Sequence, residues 1–509
     1  MKLAWRSRFV AALSLAAAGL VNAEQYGFVG ARATGMAGAN AASTRDATAQ
    51  WHNPAAFGFM GREQWASNAV DNGNLANQNF SMEVFGVGGG LTATENMGRY
   101  LDILADIQFD AFEKGTLSAN GESVKSLLAV AGIVETIDSG DALYADVSAG
   151  LSAQIGRLGI GLRMFGEGAA FALPDRENLS LVTFVDGPDL ANEIRTAAIN
   201  DGFNGAGYAY GVLTPDQREN LRSTLSLASA DDDAIKFIDA KLGELAAAGD
   251  FTGEEVSGAL SAFGELLPGG NSIESNQTAV VGRGFAMVEV PVSYGWALNE
   301  NLSIGVTAKA MFGSVLGAQL WIFDENNEKV LDDLSDNYES SVSFGLDVGV
   351  LYRIPNFQFA FVGHNLNRPS FSGFTDTVNI GGVERAVEIP DVNIDPQLTF
   401  GAAFMPSERL TLEADFELLE TGTLLDGYTI QRLSFGGEVD VWMLALRLGA
   451  YNNIAASWQD WVATAGVGAR IFGVRADIGG AYSLGNSVDY GGSSIPSEAR
   501  LYASIGLDF

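Results

Sequence analysis

The chain offers few residues that could do chemistry. It contains two histidines, His52 and His364, and no cysteine. No histidine pair has metal-ligand spacing, and without cysteine neither a disulfide framework nor a thiolate metal site can form. Ser43, Asp46 and His52 are close in sequence, but a catalytic triad is defined by geometry and not by closeness along the chain. We therefore predict no enzymatic activity, no metal and no cofactor.

The overall charge excludes one class of partner. The chain carries 29 Lys and Arg against 62 Asp and Glu, a formal net charge of −33. Proteins that bind nucleic acid cluster their basic residues against the phosphates. A chain this acidic is therefore predicted not to bind nucleic acid.

The first 23 residues have the three parts of a secretory signal peptide. Three basic residues open the chain, residues 9–21 are apolar, and Val21-Asn22-Ala23 is a small-residue cleavage site. A membrane anchor is the alternative, but the apolar run is too short to span a bilayer as a helix. We predict cleavage after Ala23. No later segment has 18 consecutive apolar residues, so no helical span is predicted.

Further along the chain, polar and apolar residues alternate with a period of two. In residues 410–418, LTLEADFEL, the even-numbered positions are apolar and the odd-numbered positions are polar. This pattern is typical of a strand that has a different environment on each face. A soluble β-sandwich also alternates. Here, however, the polar faces carry both acids and arginines among many glycines, and the strands exceed the usual length in soluble sheets.

The alternation predicts about 14 strands, with a range of 12–16. They lie near 80–93, 142–155, 157–171, 278–297, 301–316, 340–353, 356–365, 394–405, 408–419, 428–440, 442–452, 462–472, 474–484 and 498–509. The joints between them alternate between tight and long. That is the topology of an outer-membrane barrel with short periplasmic turns and long external loops. We therefore predict an all-β transmembrane barrel of antiparallel strands.

The first and second long external loops, residues 94–141 and 172–277, have apolar residues at helical spacing. These positions are Val124, Leu127, Leu128 and Ala131 in the first loop, and Ile235, Ile238, Leu242 and Leu245 in the second. A helix start is predicted at Thr214-Pro215. The helices are predicted either to pack as a cap on the barrel mouth or to form a groove for an apolar ligand.

The second long loop is also strongly acidic. It contains the run Asp231-Asp232-Asp233, at the end of the barrel that faces anionic lipopolysaccharide. Divalent cations could bridge the two, although the run lacks the spacing of a defined calcium loop. A solvated acidic face is the alternative.

The C-terminus also has the pattern of a barrel strand. The chain ends in RLYASIGLDF, with Leu507 and the final Phe509 on the apolar face. This resembles the C-terminal signature that the outer-membrane assembly machinery reads. We predict the outer membrane of a Gram-negative bacterium as the location, with membrane lipid, lipopolysaccharide and the assembly machinery as partners.

One early segment does not follow the strand pattern. Residues 30–59, GARATGMAGANAASTRDATAQWHNPAAFGF, are rich in Gly and Ala. The motif consists of Gly30-Ala31-Arg32-Ala33, Gly35-Met36-Ala37-Gly38, Asp46-Ala47 and Asn53-Pro54-Ala55. It resembles the FadL-type family of outer-membrane transporters for long-chain fatty acids and other hydrophobic compounds. It is especially similar to the branch of TraF-like conjugal transfer proteins.

The resemblance implies a hatch, residues 24–79, inside the lumen of a barrel formed by residues 80–509. Asn53, Pro54 and Ala55 would then help to close the lumen. The family also uses a kink in an early strand as a lateral exit, and Gly166 and Gly168 flank the candidate bend. The long helical loops of this chain come earlier than in the fatty-acid transporters, so no ligand-contact residue is carried over.

Two functions are compatible with this resemblance. The first is passive, hatch-gated uptake of a hydrophobic small molecule such as a long-chain fatty acid or a hydrocarbon. The second is a non-transporting outer-membrane protein with a structural or interaction role in conjugation or the envelope. Uptake requires the hatch to move, so the behaviour of residues 24–79 separates the two.

Overall fold

The fold is known from a computed structural model. It describes residues 28–60, 79–94, 97, 100, 120–137, 141–176, 187–225, 232–247, 251, 253–264, 277–321, 338–380, 383–425, 428–485, 487–490 and 493–508. The signal peptide, residues 24–27 and 61–78 of the hatch, Asp231 and Phe509 lie outside the described residues, and the predictions made for them stay predictions.

Fourteen strands form one closed antiparallel barrel. In chain order they are β1 (Phe80–Ala93), β2 (Ala142–Ile155), β3 (Leu158–Leu173), β4 (Ala279–Ala297), β5 (Leu302–Trp321), β6 (Tyr338–Ile354), β7 (Phe357–His364), β8 (Gln397–Ser407), β9 (Leu410–Glu417), β10 (Arg432–Val441), β11 (Leu444–Asn453), β12 (Val462–Ile471), β13 (Val474–Ser483) and β14 (Glu498–Asp508). Each strand pairs with its neighbours in this order, and β14 pairs with β1. The predicted strand number and topology are confirmed.

The connections between barrel strands alternate in length, as predicted. Turns of two to four residues join β2 to β3, β4 to β5, β6 to β7, β8 to β9, β10 to β11 and β12 to β13. The connections at the other end are longer. Strands joined by such short turns must be antiparallel neighbours, so the turns fix six of the neighbour pairs in the wall.

Side chains along each strand alternate between the lumen and the outer surface. On β9, Glu413 and Asp415 are buried, whereas Leu412 is 45% exposed. Large apolar side chains are exposed on the outside of many other strands, including Ile160, Phe312, Phe344, Phe435, Leu446, Ile478 and Ile505. An apolar outer face of this kind is what a barrel needs in a lipid bilayer.

Within the described residues, four short hairpins lie in the long connections. The paired segments are Ser370–Phe371 with Val392–Asn393, Phe374–Ile380 with Val383–Ile389, Thr421–Gly422 with Thr429–Ile430, and Ser487–Tyr490 with Ser493–Pro496. The sequence predicted no strands in the first of these connections. The predicted strand 428–440 also merged two separate elements. Thr429–Ile430 belongs to a hairpin, and the barrel strand β10 begins only at Arg432.

Helices occupy the two connections in which they were predicted. Gly121–Thr136 lies between β1 and β2, and Gly187–Asn200, Pro215–Thr224, Asp233–Ala247 and Gly253–Gly264 lie between β3 and β4. They share an apolar core that includes Leu128, Ile235 and Leu242. None of the helices in the described part of the chain is long and apolar enough to cross a membrane.

Residues 28–60, called here the lumenal segment, lie inside the barrel. They form α-helices Ala31–Gly35 and Ala49–His52 and the 3₁₀ helix Pro54–Gly58. The segment makes hydrogen bonds to inward-facing groups on β5, β6, β9, β10, β12 and β13. Because these strands lie on different sides of the barrel, the wall surrounds the segment.

Candidate functional site

Asn53, Pro54 and Ala55 form a tight turn against the wall. The Asn53 side chain accepts a hydrogen bond from the Ala55 amide at 3.0 Å and so caps the 3₁₀ helix. Its amide group donates to the carbonyl oxygens of Ala41 (3.0 Å) and Val350 (3.3 Å). Asn53 therefore ties the turn both to the rest of the lumenal segment and to β6.

The same turn lies against β5 with almost no free space. Ser303 Oγ donates to the Ala55 carbonyl oxygen at 2.7 Å. A methyl group added at Gly305 would lie 2.2 Å from the carbonyl carbon of Pro54, far inside van der Waals contact. A glycine in the strand allows the two backbones to approach this closely.

A second contact holds the lumenal segment by its backbone. The amides of Asn40 and Ala41 each donate to Asp415 Oδ2 at 2.9 Å, and the Ala42 amide donates to Glu413 Oε1 at 2.6 Å. Both carboxyl groups are buried and point inward from β9. Together they accept hydrogen bonds from three backbone amides of the segment, so this contact fixes the middle of the segment.

A chain of ion pairs connects the lumenal segment to β10, β11 and β13. Arg32 pairs with Glu438 at 3.1 Å. Glu438 also accepts from Arg447 at 2.7 Å, and Arg447 donates to Asp477 at 2.7 Å. The Arg447 side chain is only 1% exposed. Buried charges of this kind depend on their partners to offset the loss of hydration.

Asp46 makes another ionic contact with the wall. Its carboxylate pairs with Arg475 on β13 and accepts a hydrogen bond from the Thr48 amide at 2.9 Å. Burial raises the pKa of Asp46, but Arg475 and Thr48 together outweigh burial and lower this pKa below its ordinary value. The Asp46 carboxyl is therefore ionised at neutral pH and serves as an ion-pair partner.

The described residues Ser43, Asp46 and His52 do not form a triad, because each has a different partner. Ser43 Oγ accepts from Arg32 at 3.0 Å, whereas His52 Nε2 lies 2.9 Å from the Val29 carbonyl oxygen. Burial lowers the pKa of His52 to about 4, although the Val29 carbonyl acts in the opposite direction. A histidine in water titrates near pH 6.5.

We expect His52 to titrate near pH 4 in the folded protein. The folded state favours the neutral ring. The stability that His52 contributes is therefore complete above about pH 6.5 and is lost as the pH falls from 6.5 towards 4. The imidazole NMR signal measures this directly, because the chain has two histidines and His52→Gln assigns the resonance. A midpoint near 6.5 would show that the ring is hydrated.

A group of buried apolar side chains lies in the half of the lumen that faces the long connections. This group, called here the apolar cluster, consists of Tyr144, Phe165, Ala169, Phe285, Met287, Met311, Val315, Phe371, Ile389, Val392, Ile394 and Leu424. The wall members lie on β2 to β5, and the others lie in the connections after β7 and β9. The Phe285 and Phe371 rings pack with their centroids 4.7 Å apart. The long connections thus fold into the lumen and cover an apolar part of the wall.

An apolar depression of about 500 Å³ lies on the outer face of the same strands. The large side chains of Met164 and Phe312 border it, and Gly166 contributes to its floor. Phe165 and Met287, which belong to the apolar cluster, also contribute to its lining. The cluster and the depression are therefore separated only by the thickness of the barrel wall.

Gly166 and Gly168 lie in this part of β3. Both glycines pair with β2 and β4 without a register shift. The β3–β4 ladder is interrupted instead between Ile160 and Arg163, across from Pro291, which has no amide hydrogen to donate. The strand kink at Gly166 and Gly168 stays a prediction.

The sequence alone does not identify Arg32 or Asp46 as residues that fix the lumenal segment. Arg32 and Glu438 are 406 positions apart, so their pairing has no local signal. A weaker signal was present. A charged residue in a Gly- and Ala-rich segment that is predicted to be inside a barrel must find a partner there.

The fold and the site define a closed membrane barrel with an occupied lumen. Residues 50–416 match the model of the family described as F plasmid transfer operon, TraF, protein. The chain belongs to this family, and the predicted TraF-like resemblance is confirmed.

The chain is also similar to several solved structures. The toluene transporter TbuX of Ralstonia pickettii has 13% identity, a TM-score of 0.46, and coverage of 96% of this chain and 99% of that one. The P. putida toluene transporter TodX has 11% identity and a TM-score of 0.45, with coverage of 96% of this chain and 99% of that one. A Pseudomonas aeruginosa FadL homologue has 9% identity and a TM-score of 0.40, with coverage of 96% of this chain and 99% of that one. A comparison with curated proteins gives no match. These identities are too low to transfer a ligand.

Proposed function

We propose that this protein takes up a hydrophobic small molecule across the outer membrane by passive, hatch-gated diffusion. A long-chain fatty acid or a hydrocarbon has the required apolar body. The observation that carries the proposal is the apolar cluster in the lumen. Barrels that conduct hydrophilic solutes have polar interiors, whereas sites for apolar ligands are lined by aliphatic and aromatic side chains.

The proposed route passes from the lumen through the wall. A ligand would enter between the long connections and displace residues such as Phe371 and Ile389 from the apolar cluster. It would then leave towards the apolar depression, where Gly166 makes the wall thin, and enter the bilayer. Diffusion down a concentration gradient is sufficient for this route.

In this proposal the lumenal segment acts as the hatch. Asn53, Pro54 and Ala55 hold one side of it against β5 and β6, and Asp415 on β9 holds its middle. Displacement of either contact would open space below the apolar cluster. The hatch would therefore control whether a ligand that has reached the cluster can move on.

The outer-membrane location is supported by the apolar outer face of the barrel. Cleavage after Ala23 and recognition of Phe509 by the assembly machinery are part of the same proposal. Contact with lipopolysaccharide would involve the acidic loop, residues 172–277. In that loop Asp232 pairs with Arg222 at 2.5 Å, which favours a solvated, internally paired surface over a bridge made by cations.

Uptake into proteoliposomes tests the proposal. Vesicles that contain the folded protein should accumulate radiolabelled p-xylene or oleate faster than empty vesicles. Met287→Gln places an amide in the apolar cluster and should lower that rate several-fold, because the buried amide lacks a partner. Met443→Gln makes the same change in the turn between β10 and β11 and should leave the rate unchanged. Equal rates with and without the folded protein would refute uptake.

A non-transporting barrel is the second candidate function. The buried ion pairs of Arg32 with Glu438 and of Asp46 with Arg475 favour it, because they hold the lumenal segment in one position. The helices between β3 and β4 would then serve as an interaction surface for conjugation or for the envelope. In that case no ligand should be taken up, and substitutions that free the segment should cause only leakage.

A further inference from the structure

Glu167 is a buried carboxyl group that the barrel does not use. It points inward from β3, is 0% exposed, and lies between Gly166 and Gly168. Among the described residues, neither of its carboxylate oxygens has a hydrogen-bond partner. Burying an unsatisfied carboxyl is costly, so a carboxyl without a hydrogen-bond partner at this position points to a role in binding.

Tyr144 supplies a second polar atom of the same kind. It is 3% exposed, and in the part of the chain that the structure describes its hydroxyl has no hydrogen-bond partner. Tyr144 pairs with Ala169 across the β2–β3 ladder, where Asp146 pairs with Glu167. Tyr144 and Glu167 are therefore diagonal neighbours on the inner face of adjacent strands, a separation that long side chains can bridge.

The surroundings of these two groups are apolar on one side. Phe165 and Ala169 flank Glu167 on the inner face of β3, and Phe285 pairs with it from β4. All three belong to the apolar cluster, as does Tyr144. A ligand that occupies this cluster would therefore contact the Glu167 carboxyl with its polar end.

The other side of Glu167 is charged, and its charges are already engaged. Arg500 lies within electrostatic range of Glu167. However, Arg500 donates to Asp146 at 2.6 Å and to Glu498 at 2.7 Å. An anionic ligand would have to compete with Asp146 and Glu498 for Arg500. A neutral hydrogen-bond donor makes no such demand, so this environment favours a neutral donor over a carboxylate.

We propose that Glu167 and Tyr144 form a binding subsite for the hydroxyl group of an otherwise apolar ligand, such as a phenol. The ligand hydroxyl would donate to the Glu167 carboxyl and contact the Tyr144 hydroxyl, and its ring would pack against Phe165 and Phe285. This inference rests on the proposed uptake of hydrophobic molecules and narrows the ligand to a neutral amphiphile.

Three probes of the same shape test the subsite: p-cresol, p-xylene and 4-methylbenzoate. Binding to the full protein in detergent is measured by equilibrium dialysis and corrected for the partition of each probe into empty micelles. We expect p-cresol to bind about 10-fold more tightly than p-xylene, which corresponds to one hydrogen bond to a buried carboxyl. The 4-methylbenzoate anion should bind most weakly.

The variants assign the preference to named groups. Glu167→Leu should bring the p-cresol and p-xylene affinities within about 2-fold of each other and leave p-xylene binding intact, since a single hydrogen bond is lost. Tyr144→Phe removes only the hydroxyl and should lower the p-cresol preference by a few-fold. Glu83→Leu, which removes a lumenal carboxyl on β1 outside the apolar cluster, should keep the preference of the natural chain.

The outcomes also separate this inference from the proposed function. If p-xylene binds and is taken up but p-cresol shows no preference, the subsite is refuted and uptake stands. A p-cresol preference that stays near 10-fold in folded Glu167→Leu or in folded Tyr144→Phe overturns the assignment as well. If none of the probes binds, the subsite is refuted, and uptake of oleate by the same protein decides the proposed function separately.

Discussion

Replacing Gly305 with valine is expected to displace the lumenal segment and to open the barrel as a pore. The added Cβ would lie 2.2 Å from Pro54 C, 2.3 Å from Ala55 N and 2.4 Å from Pro54 O. Overpacking costs about 1–3 kcal/mol, and these atoms belong to a backbone that cannot rotate away. At the upper limit the segment would be displaced about 100-fold more often.

Single-channel conductance in a planar bilayer measures this displacement, since a barrel of this size without its lumenal contents would hold an aqueous channel. Gly282→Val is the matched control. Gly282 lies on the adjacent strand, and the nearest heavy atom to its added Cβ is 3.9 Å away. Gly305→Val should conduct and Gly282→Val should not. A folded Gly305→Val barrel that stays closed would show that the Pro54 turn can move without opening the lumen.

The wall of the barrel could be predicted from the sequence because its pattern is local. In residues 410–418 each side chain alternates in environment with the next, and the structure places Leu412 outside and Asp415 inside. The helix start at Thr214 is equally local, since a capping box involves Thr214 and Gln217 alone. Both elements lie where they were predicted.

Elements that depend on distant partners could not be predicted in the same way. Residues 429–430 continue the alternation of β10, but they pair with residues 421–422 in a separate hairpin. The sequence of residues 428–440 does not show where β10 begins. Strand propensity indicates that a segment fits a half-buried sheet surface, but it does not indicate which strand the segment pairs with.

The contents of the lumen were the least predictable part. Alternation shows that Phe165 and Phe285 face inward, but it does not show that Phe371 and Ile389, from a connection predicted to be external, pack against them. The FadL-type resemblance placed the N-terminal segment in the lumen. The resemblance did not predict the partner of Arg32, because Glu438 is brought next to Arg32 only when the barrel closes around the segment.

Glu438→Gln is expected to loosen the lumenal segment by removing the shared acceptor of two arginines. Glu438 accepts from Arg32 Nε at 3.1 Å and from Arg447 Nε at 2.7 Å. The glutamine would leave both guanidinium groups near each other without this negative charge. Breaking a buried ion pair from one side costs about 3–5 kcal/mol, and movement of Arg32 out of the network is the simplest way to relieve that cost.

The chain has no cysteine, so Ala39→Cys, at a position that is 0% exposed, gives a single site for a maleimide probe. In that background Glu438→Gln should raise the labelling rate by at least about 100-fold, in proportion to the fraction of open segments. Glu219→Gln is the matched control. It breaks a pair with Arg222 in which Glu219 is 70% exposed, and such pairs contribute about 0–1 kcal/mol. If Glu438→Gln labels as slowly as this control, the Glu438 ion pairs do not hold the segment closed. The remaining contacts, which include Gly305, Asp415 and the Asp46–Arg475 pair, would then hold it.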